Sequence, residues 1–387
     1  CEVMGLAERQ WLIKPSANAV IHDTAVSLSD GQSLHRALIG LAPRLIHMHH
    51  YLHVGLDLLP ALKRWFPSSP VILTLHDYWG PCAYEGRLLR RSSELCEGGD
   101  PEACNVCLGG HQRDRLAIRN LRLQRFFGSI DHFLAPSYFL KQQYLRWGLA
   151  AQKISVVENL PAAIPLKLAE ASESRPGLVL GYFGQINPWK GLDLILEAVA
   201  VVRHQGLAVR LEIHGLDVET LLMRAQSGEG FWCRLSALYR ELGPDGAAAM
   251  GRYEPEQLTE RMAGLDGVVM GSIWFENSPM VIREAFQHGL PVIAPRLGGM
   301  AEKVQDGQTG LLFSPGNVTC LAEAISRLAR SSSLRQHLRQ RVRVAIRHVA
   351  NPGLHHERVY NQLIQKEKSV KMPTRRRHVD KSAPAQG

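Results

Sequence analysis

Short apolar runs with the composition of β-strands alternate with segments of helical pattern along most of the chain. The predicted strands cover residues 45–48, 71–75, 132–135, 154–157, 178–183, 209–213, 267–270, 291–294 and 310–313. The predicted helices cover residues 56–65, 138–147, 191–203, 256–263, 278–288, 300–304 and 318–328. Such a βα alternation is typical of parallel sheets covered by helices. The sequence therefore predicts an α/β fold built from doubly wound sheets.

Chain length sets the expected number of domains. A domain usually has roughly 100–200 residues, so 387 residues predict two. We expect a Rossmann-like domain at 1–163, a proline- and serine-containing linker at 164–177, and a second Rossmann-like domain at 178–350. A helix at 351–366 is predicted to pack back on the first domain, and a basic tail at 367–387 to be disordered. Ligands of such sheets bind at the carboxyl ends of the strands, which places the expected site between the domains.

The net charge of +9 raises the question of whether the chain contacts an anionic partner or a membrane surface. Much of it lies near the C-terminus, and two internal basic stretches, 113–125 and 335–347, have helical spacing. Each stretch is either a solvated helix face or a contact with an anionic membrane that carries a lipid-linked substrate. The sequence has no run of about 18 apolar residues, the minimum for a membrane-spanning helix. We expect a cytoplasmic protein, peripheral at the inner face of the cytoplasmic membrane, with no nucleic-acid partner.

The segment 276–284, Glu-Asn-Ser-Pro-Met-Val-Ile-Arg-Glu, places two carboxylates on either side of a predicted helix start. Ser278 is predicted to be the N-cap and Pro279 the first helical residue, so the amides there can hold an anion such as phosphate. Glu276 and Glu284 can accept hydrogen bonds from sugar or ribose hydroxyls. The position of Glu284 fits a solvated helix residue equally well.

The turn at 184–191, Gly-Gln-Ile-Asn-Pro-Trp-Lys-Gly, connects a predicted strand to a predicted helix. Its glycines allow a close backbone approach, and Lys190 can meet a diphosphate. Alone, the turn also fits an ordinary strand-to-helix connection. Together with the paired glutamates in one α/β domain, it is stronger evidence of a ligand site.

These motifs resemble those of the retaining family-4 glycosyltransferases, which have the GT-B architecture. The resemblance runs from about residue 46 to 328 and includes 182–191, the glutamate pair and the Gly-Leu-Pro-Val-Ile of 289–293. It implies two Rossmann-like domains facing a cleft. It also implies that Glu276 contacts the donor sugar as a catalytic residue, Glu284 the ribose, and Lys190 the diphosphate.

The same resemblance assigns further site residues. The implied donor-binding residues also include Gly184, Gln185, Asn277, Ser278, Pro279, Gly298 and Gly299. In the first domain, Thr74-Leu75-His76-Asp77 matches the strand end whose histidine approaches the reacting sugar, which implies a catalytic role for His76. Outside the family context, a His-Asp pair at this position orders a strand end.

Two features depart from the family pattern. The family commonly has Arg where this chain has Gln185, so a fixed positive charge beside the leaving diphosphate is missing and Lys190 carries more of that role. The family also opens with a strand and a glycine-rich loop that meets the acceptor, and nothing before Gly31 resembles either. We therefore expect an N-terminal domain that is truncated at its start.

Four cysteines cluster in a loop that is rich in glycine, proline and charge: Cys82, Cys96, Cys104 and Cys107. This insertion at 82–107 suits a structural Zn²⁺ held by four thiolates, with free thiols or a disulfide as the alternatives. The histidines at 47, 49, 50 and 53 also cluster, and they fit strand-end packing and acceptor contact better than a metal.

The resemblance implies a retaining transferase that moves a sugar from a UDP- or GDP-sugar to a glycan or lipid-linked acceptor in bacterial surface polysaccharide biosynthesis. No Asp-x-Asp motif is placed to hold Mg²⁺, so no catalytic metal is expected. Two alternatives stay open: a truncated remnant that binds nucleotide sugar without catalysis, and a GT-B phosphorylase or epimerase.

Overall fold

A computed structural model of the chain describes residues 2–7, 10–14, 35–36, 38–51, 55–159, 177–347 and 352–370. The chain divides into two compact units. Unit 1 comprises residues 1–73, 126–132 and 354–387, and unit 2 comprises residues 74–125 and 133–353. The predicted linker at 164–177 lies outside the described residues except for Gly177.

The strands are β1 (Glu2–Ala7), β2 (Gln10–Lys14), β3 (Ile46–Met48), β4 (Val71–Thr74), β5 (His132–Ala135), β6 (Ile154–Val156), β7 (Leu178–Phe183), β8 (Val209–His214), β9 (Ala247–Ala249), β10 (Gly267–Val269), β11 (Val292–Pro295) and β12 (Gly310–Phe313). The helices are α1 (Leu58–Trp65), α2 (Pro101–Cys107), α3 (Arg113–Phe127), α4 (Tyr138–Arg146), α5 (Leu192–His204), α6 (Val218–Gln226), α7 (Gly230–Gly246), α8 (Leu258–Met262), α9 (Met280–Gln287), α10 (Gly298–Lys303), α11 (Val318–Arg330), α12 (Ser332–Arg347) and α13 (Pro352–Val370).

Two parallel sheets confirm the predicted α/β class. One has the strand order β12-β11-β10-β7-β8-β9, and the other has the order β3-β4-β5-β6. In the larger sheet β7 is central, pairing in parallel with β8 on one side and β10 on the other. All six residues of β7 are buried, as expected for a strand covered by helices on both faces.

Unit 1 contains the pairing of β3 with β4, in the register Ile46 with Val71. Asp131 connects the start of β4 to α1. Its Oδ2 accepts hydrogen bonds from the Val71 amide at 2.7 Å and from Lys63 Nζ at 2.8 Å. On α13, Tyr360 Oη lies 2.6 Å from His47 Nδ1. The helix extends to Val370, and residues 371–387 of the predicted disordered tail lie outside the described residues, so that boundary stays a prediction.

The segment before Gly31 also differs from expectation. β1 and β2 form an antiparallel hairpin with Glu2 opposite Lys14. Neither strand was predicted, because an antiparallel hairpin differs from the strand and glycine-rich loop of the family pattern.

Unit 2 joins residues 74–125 and 133–159 to the C-terminal half, whereas the sequence placed them in the N-terminal domain. Ion pairs of Glu158 connect the two segments of unit 2. Glu158 pairs with Arg283 and with Lys303, whose Nζ lies 3.3 Å from Glu158 Oε1. The predicted domain boundaries stay a prediction.

A close backbone contact joins the turn after β7 to the segment after β10. Gly191 has a φ of +63°, and a Cβ there would lie 2.1 Å from the carbonyl oxygen of Gly271. A Cβ on Gly271 would in turn lie 2.3 Å from the Gly191 oxygen. No side chain fits at either position, so the two glycines allow neighbouring strand ends to come together.

Gly191→Ala should therefore destabilise the fold more than a positive φ alone explains. The matched control is Gly206→Ala, since Gly206 has a φ of +79° and open space around its missing Cβ. We expect Gly206→Ala to cost about 1 kcal/mol, from backbone strain, and Gly191→Ala to cost about 1–3 kcal/mol more, from the added clash. Urea unfolding of both variants measures the difference, and equal losses would contradict the close contact.

Candidate functional site

The Glu276 carboxylate lies at the centre of a hydrogen-bonded cluster. Its Oε1 accepts hydrogen bonds from Lys190 Nζ at 2.7 Å, Ser272 Oγ at 2.8 Å and Trp274 Nε1 at 3.1 Å. Glu276 is 8% exposed. Within the described residues the structure gives Oε2 no hydrogen-bond partner, so one oxygen is anchored and the other can accept a hydrogen bond from a ligand.

The local turn geometry positions Lys190. Asn187 Oδ1 accepts hydrogen bonds from the amides of Trp189 and Lys190, at 3.1 and 3.2 Å, and so holds the 3₁₀ turn Pro188–Lys190. Lys190 Nζ also lies 5.9 Å from the centre of the Trp274 ring. The cation therefore sits beside both a carboxylate and an aromatic face.

The Gly298–Gly299 pair packs on the backbone that follows Glu276. The Gly299 amide donates to the Glu276 carbonyl at 2.9 Å, and a Cβ on Gly299 would lie 1.9 Å from the Asn277 carbonyl oxygen. Gly298 has a φ of +51°. Glycine is thus required for this approach, and the pair lies directly against the Glu276 segment.

Residues from the N-terminal half reach this site through the start of α4. Ser137 Oγ donates to Asn277 Oδ1 at 3.2 Å and accepts a hydrogen bond from the Leu140 amide, which caps α4. The Glu302 carboxylate accepts hydrogen bonds from the Tyr138 and Phe139 amides at 2.9 and 3.0 Å. The sequence interpretation missed Ser137 and Glu302, because neither lies within a recognisable motif.

The helix start near Pro279 differs from the predicted one. α9 begins at Met280 with Pro279 as its N-cap, and no side chain caps it. The prediction of Ser278 as the N-cap was therefore wrong by one position. Pro279 has an extended backbone with a ψ of 120°, which places it before the first helical turn.

Glu284 lies on α9, and burial raises the pKa of its carboxyl group. Within the described part of the chain its carboxylate has no hydrogen-bond partner. Burial, together with the negative charge of Glu284, also raises the pKa of the Tyr253 hydroxyl. A partly buried carboxylate without hydrogen bonds is costly unless a ligand supplies donors.

His76 lies just after β4 and is exposed. The next residue, Asp77, accepts a hydrogen bond from the Trp79 amide at Oδ1, 2.9 Å away, which orders the strand end. Tyr78 is buried at 3% exposure, and its hydroxyl has no hydrogen-bond partner among the described residues. Burial and the charge of Glu276 raise the pKa of Tyr78, so this strand end lies within electrostatic range of the Glu276 cluster. No sequence motif marks Tyr78.

Gln185 and Gly184 lie at the start of the same turn as Lys190. The Gln185 carbonyl accepts a hydrogen bond from Tyr182 Oη at 2.8 Å. Gly184 has a φ of +154°, and its carbonyl oxygen would lie 2.8 Å from a Cβ on Gly215. Gly215, which follows β8, is therefore a further residue that shapes this turn.

The four clustered cysteines line one small pocket. Burial raises the pKa of the Cys104 thiol to about 11 and also raises that of Cys82. As the side chains stand, no three His, Cys, Asp or Glu residues in the described ranges are arranged to hold a metal ion.

Several arginines of the two internal basic stretches donate hydrogen bonds to backbone carbonyls. Arg119 of α3 donates to the carbonyls of Trp79 and Gly80. On α12, Arg335 donates to the Leu328 carbonyl at 2.6 Å and Arg339 to the Leu265 carbonyl at 2.5 Å. These three arginines are therefore not part of a solvated face. No helix in the described part of the chain is both long and apolar enough to span a membrane.

The chain is similar in sequence to known families and proteins. Residues 168–344 match the family described as glycosyl transferases group 1, and residues 10–160 match glycosyltransferase family 4. The D-inositol 3-phosphate glycosyltransferase of Actinosynnema mirum is 34% identical over 169 residues, which is 42% of this chain and 38% of that protein. Among the first curated relatives the chain spans 36–61% of the relative's length.

Solved structures show the same fold. Anabaena Alr3699/HepE, in complex with UDP and glucose, has a TM-score of 0.58 and 20% identity over 87% of this chain and 82% of that one. Sucrose-phosphate synthase from Thermosynechococcus elongatus has a TM-score of 0.63 and 19% identity, covering 86% of this chain and 77% of that one.

The raised pKa of Glu284 predicts how the free energy of unfolding depends on pH. The folded protein binds a proton at Glu284 more tightly than the unfolded chain, so this residue lowers the free energy of unfolding as pH rises above 4.5, its ordinary pKa, through the raised folded value. Glu284→Gln should remove that fall, so the variant should gain stability relative to the wild type as pH rises from 4 to 7.

Urea unfolding across that pH range measures the difference. The control is Glu260→Gln, on an exposed residue of α8, which should leave the pH dependence unchanged. A wild-type minus Glu284→Gln difference that is constant with pH would contradict the burial of this carboxylate.

Proposed function

The chain belongs to the glycosyl transferases of group 1 and has the GT-B fold, and from that premise we propose that it transfers a sugar from a UDP- or GDP-sugar to a glycan or lipid-linked acceptor. The observation that carries the proposal is the Lys190–Glu276 contact, at the junction of the two glycine-dependent turns. It places a cation and a partly unused carboxylate side by side.

A nucleotide sugar carries complementary groups. Its diphosphate is an anion that Lys190 can bind, its sugar hydroxyls can donate to Glu276 Oε2, and its ribose hydroxyls can donate to Glu284. Gly184, Gln185 and the segment from Asn277 to Pro279 would surround the donor, with Gly298 and Gly299 against its sugar and phosphate. The Anabaena protein of the same fold, seen with UDP and glucose, supports a uridine nucleotide as the first donor to test.

The proposed reaction breaks the bond between the anomeric carbon and the diphosphate oxygen, and the bonding electrons leave with the diphosphate. Lys190 would leave its contact with Glu276 and bind the diphosphate, where it would stabilise the growing negative charge. The acceptor oxygen forms the new bond on the same face and gives its proton to a donor phosphate oxygen, which retains the anomeric configuration. His76 would hydrogen-bond the reacting sugar, and no step requires a metal.

Donor binding can be measured by thermal shift with UDP-, GDP-, ADP- and dTDP-sugars. A ligand at 100 times its Kd stabilises a protein by about 2.7 kcal/mol, which is readily detected. Glu284→Ala should weaken the binding of the preferred donor about 10- to 100-fold, because hydrogen bonds to charged groups contribute about 1.5–3 kcal/mol. Lys190→Ala should act similarly on nucleoside diphosphate.

The matched controls are Glu260→Ala and Lys141→Ala, which should bind like the wild type. Release of nucleoside diphosphate in the presence of bacterial lipid and glycan acceptors then tests transfer, and NMR of the product gives its anomeric configuration. His76→Ala should lower kcat with little effect on donor Kd. Folded protein that shows no shift with any donor would overturn the proposal, and binding without transfer would indicate a donor-binding remnant.

The cellular setting we propose is bacterial surface polysaccharide biosynthesis, in the cytoplasm at the inner membrane surface. The support is helix α3, which exposes Ile118 at 55% and Leu121 at 67% among arginines. Arg115 and Arg125 are exposed on the same helix, whereas Arg119 is turned inward. An apolar pair flanked by basic side chains fits the surface of an anionic bilayer.

Vesicle flotation can test this surface. We expect binding to phosphatidylglycerol vesicles and not to phosphatidylcholine vesicles. Arg115→Ala/Arg125→Ala should weaken binding about 30-fold, because each basic residue near an anionic surface contributes about 1 kcal/mol. Ile118→Ser/Leu121→Ser should also weaken it, and Met223→Ser, at an exposed apolar residue elsewhere, should not. Equal binding to both vesicle types would contradict the contact.

A further inference from the structure

Four of the cysteines surround one small pocket in the loop between β4 and α3. Cys82, Cys96, Cys104 and Cys107 all line it, although they are spread over 26 residues of the chain. We propose that these four cysteines form a structural Zn²⁺ site, independent of the sugar-transfer reaction.

The lining of the pocket suits a cation that prefers sulfur. Beside the four thiols, the described residues that line the pocket include apolar side chains such as Leu89, Ala103 and Leu108 and no carboxylate. Thiolates favour Zn²⁺ over cations that prefer oxygen ligands. Four cysteines are one ligand set of a structural zinc ion, which binds four thiolates tetrahedrally.

The backbone around the pocket is arranged to support sulfur ligands. The Gly98 amide donates to Cys96 Sγ at 3.4 Å. The Cys82 thiol donates to the Tyr84 carbonyl at 3.6 Å. Hydrogen bonds to the residues that bind a metal orient them and are a recurrent feature of metal sites.

The charge around the pocket is also complementary. Zn²⁺ with four thiolates carries a net charge of about −2, which nearby cations would stabilise. Arg90 lines the pocket, and Arg119 lies close enough to Cys104 to interact with it electrostatically. Arg119 is fixed in place by its bonds to the Trp79 and Gly80 carbonyls.

The loop has little else to hold its conformation. Between β4 and α3 the regular structure is the short helix α2 and an isolated bridge between Leu89 and Leu95. Glu85, Leu88 and Ser93 have positive φ values, which cost non-glycine residues free energy. A tetrahedral ion would connect the two ends of this loop and offset that cost.

The site would also affect the donor turn through Arg87. The Arg87 guanidinium lies 5.0 Å from the centre of the Trp189 ring, and Trp189 precedes Lys190. Cys82 lies five residues before Arg87 and Cys96 nine residues after it, so a metal that holds both cysteines would restrict the segment that carries Arg87. The four thiols as they stand do not form a ligand set, so binding of the ion would require the cysteine side chains to change rotamer.

The test uses the full chain, purified with a reductant, and elemental analysis by mass spectrometry. We expect about one zinc per chain. Cys104→Ser/Cys107→Ser should lower the zinc content at least tenfold, whereas Cys233→Ser/Cys320→Ser, at cysteines outside the cluster, should retain it. Exchange with Co²⁺ should give the intense visible bands of a tetrahedral, sulfur-ligated ion, and this measurement on the wild type decides the matter if a variant does not fold.

A second readout separates a structural ion from an incidental one. Removing zinc by chelation should increase hydrogen exchange in residues 82–107 and at the turn 188–190, and Zn²⁺ but not Mg²⁺ should restore protection. Folded, reduced wild-type protein that retains no zinc and gives no Co²⁺ bands would overturn the proposal. A disulfide among the four cysteines, or zinc retained by Cys104→Ser/Cys107→Ser, would overturn it as well.

Discussion

The contact between the backbones of Gly191 and Gly271 determines where the other site residues can lie. β7 and β10 are neighbours in the sheet, so their carboxyl ends are close, but two ordinary loops would be kept apart by their side chains. Without Cβ atoms the two segments touch, and Lys190 and Glu276, which follow from them, come within 2.7 Å. A similar close backbone contact, between Gly299 and Asn277, follows the next strand, β11. The site is thus a consequence of strand order combined with three glycines.

The ion pair formed there is balanced so that it can open. Moving two charges out of water is expensive, and a buried pair needs additional hydrogen bonds to offset that cost. Glu276 obtains them from Ser272 and Trp274, both on Oε1, so its carboxylate stays fixed if Lys190 leaves. Lys190 is less buried, with 23% of its side chain exposed against 10% for Glu276. The lysine is therefore the mobile partner, and an incoming polyanion can recruit it without disturbing the carboxylate.

The sequence could predict the features that depend on local pattern. Alternating apolar runs predicted the strands of the two parallel sheets except β9, and the family motifs led to the Lys190 turn and the Glu276 segment. Features set by contacts between distant segments were not accessible. Ser137 and Glu302 are ordinary polar residues whose importance arises only because α4 begins beside Asn277. β9 is Ala-Ala-Ala, which has high helix propensity, and it is a strand because it pairs with β8 after a break at Gly243, where φ is 61° and ψ is −177°.

Gln185 stands where the resemblance implies an arginine, which changes where positive charge comes from at the turn of residues 184–191. Tyr182 hydrogen-bonds the backbone of Gln185, so the turn keeps its conformation without a guanidinium at that position. A guanidinium is nevertheless present nearby, since Arg87 stacks over Trp189 and is also held by Tyr84 Oη at 3.3 Å. It comes from the cysteine loop, a segment far away in sequence. Arg87 also forms an ion pair with Glu85 of the same loop. The charge that reaches this turn therefore depends on how that loop is held, which connects the order of the cysteine loop with the electrostatics of the Lys190 turn.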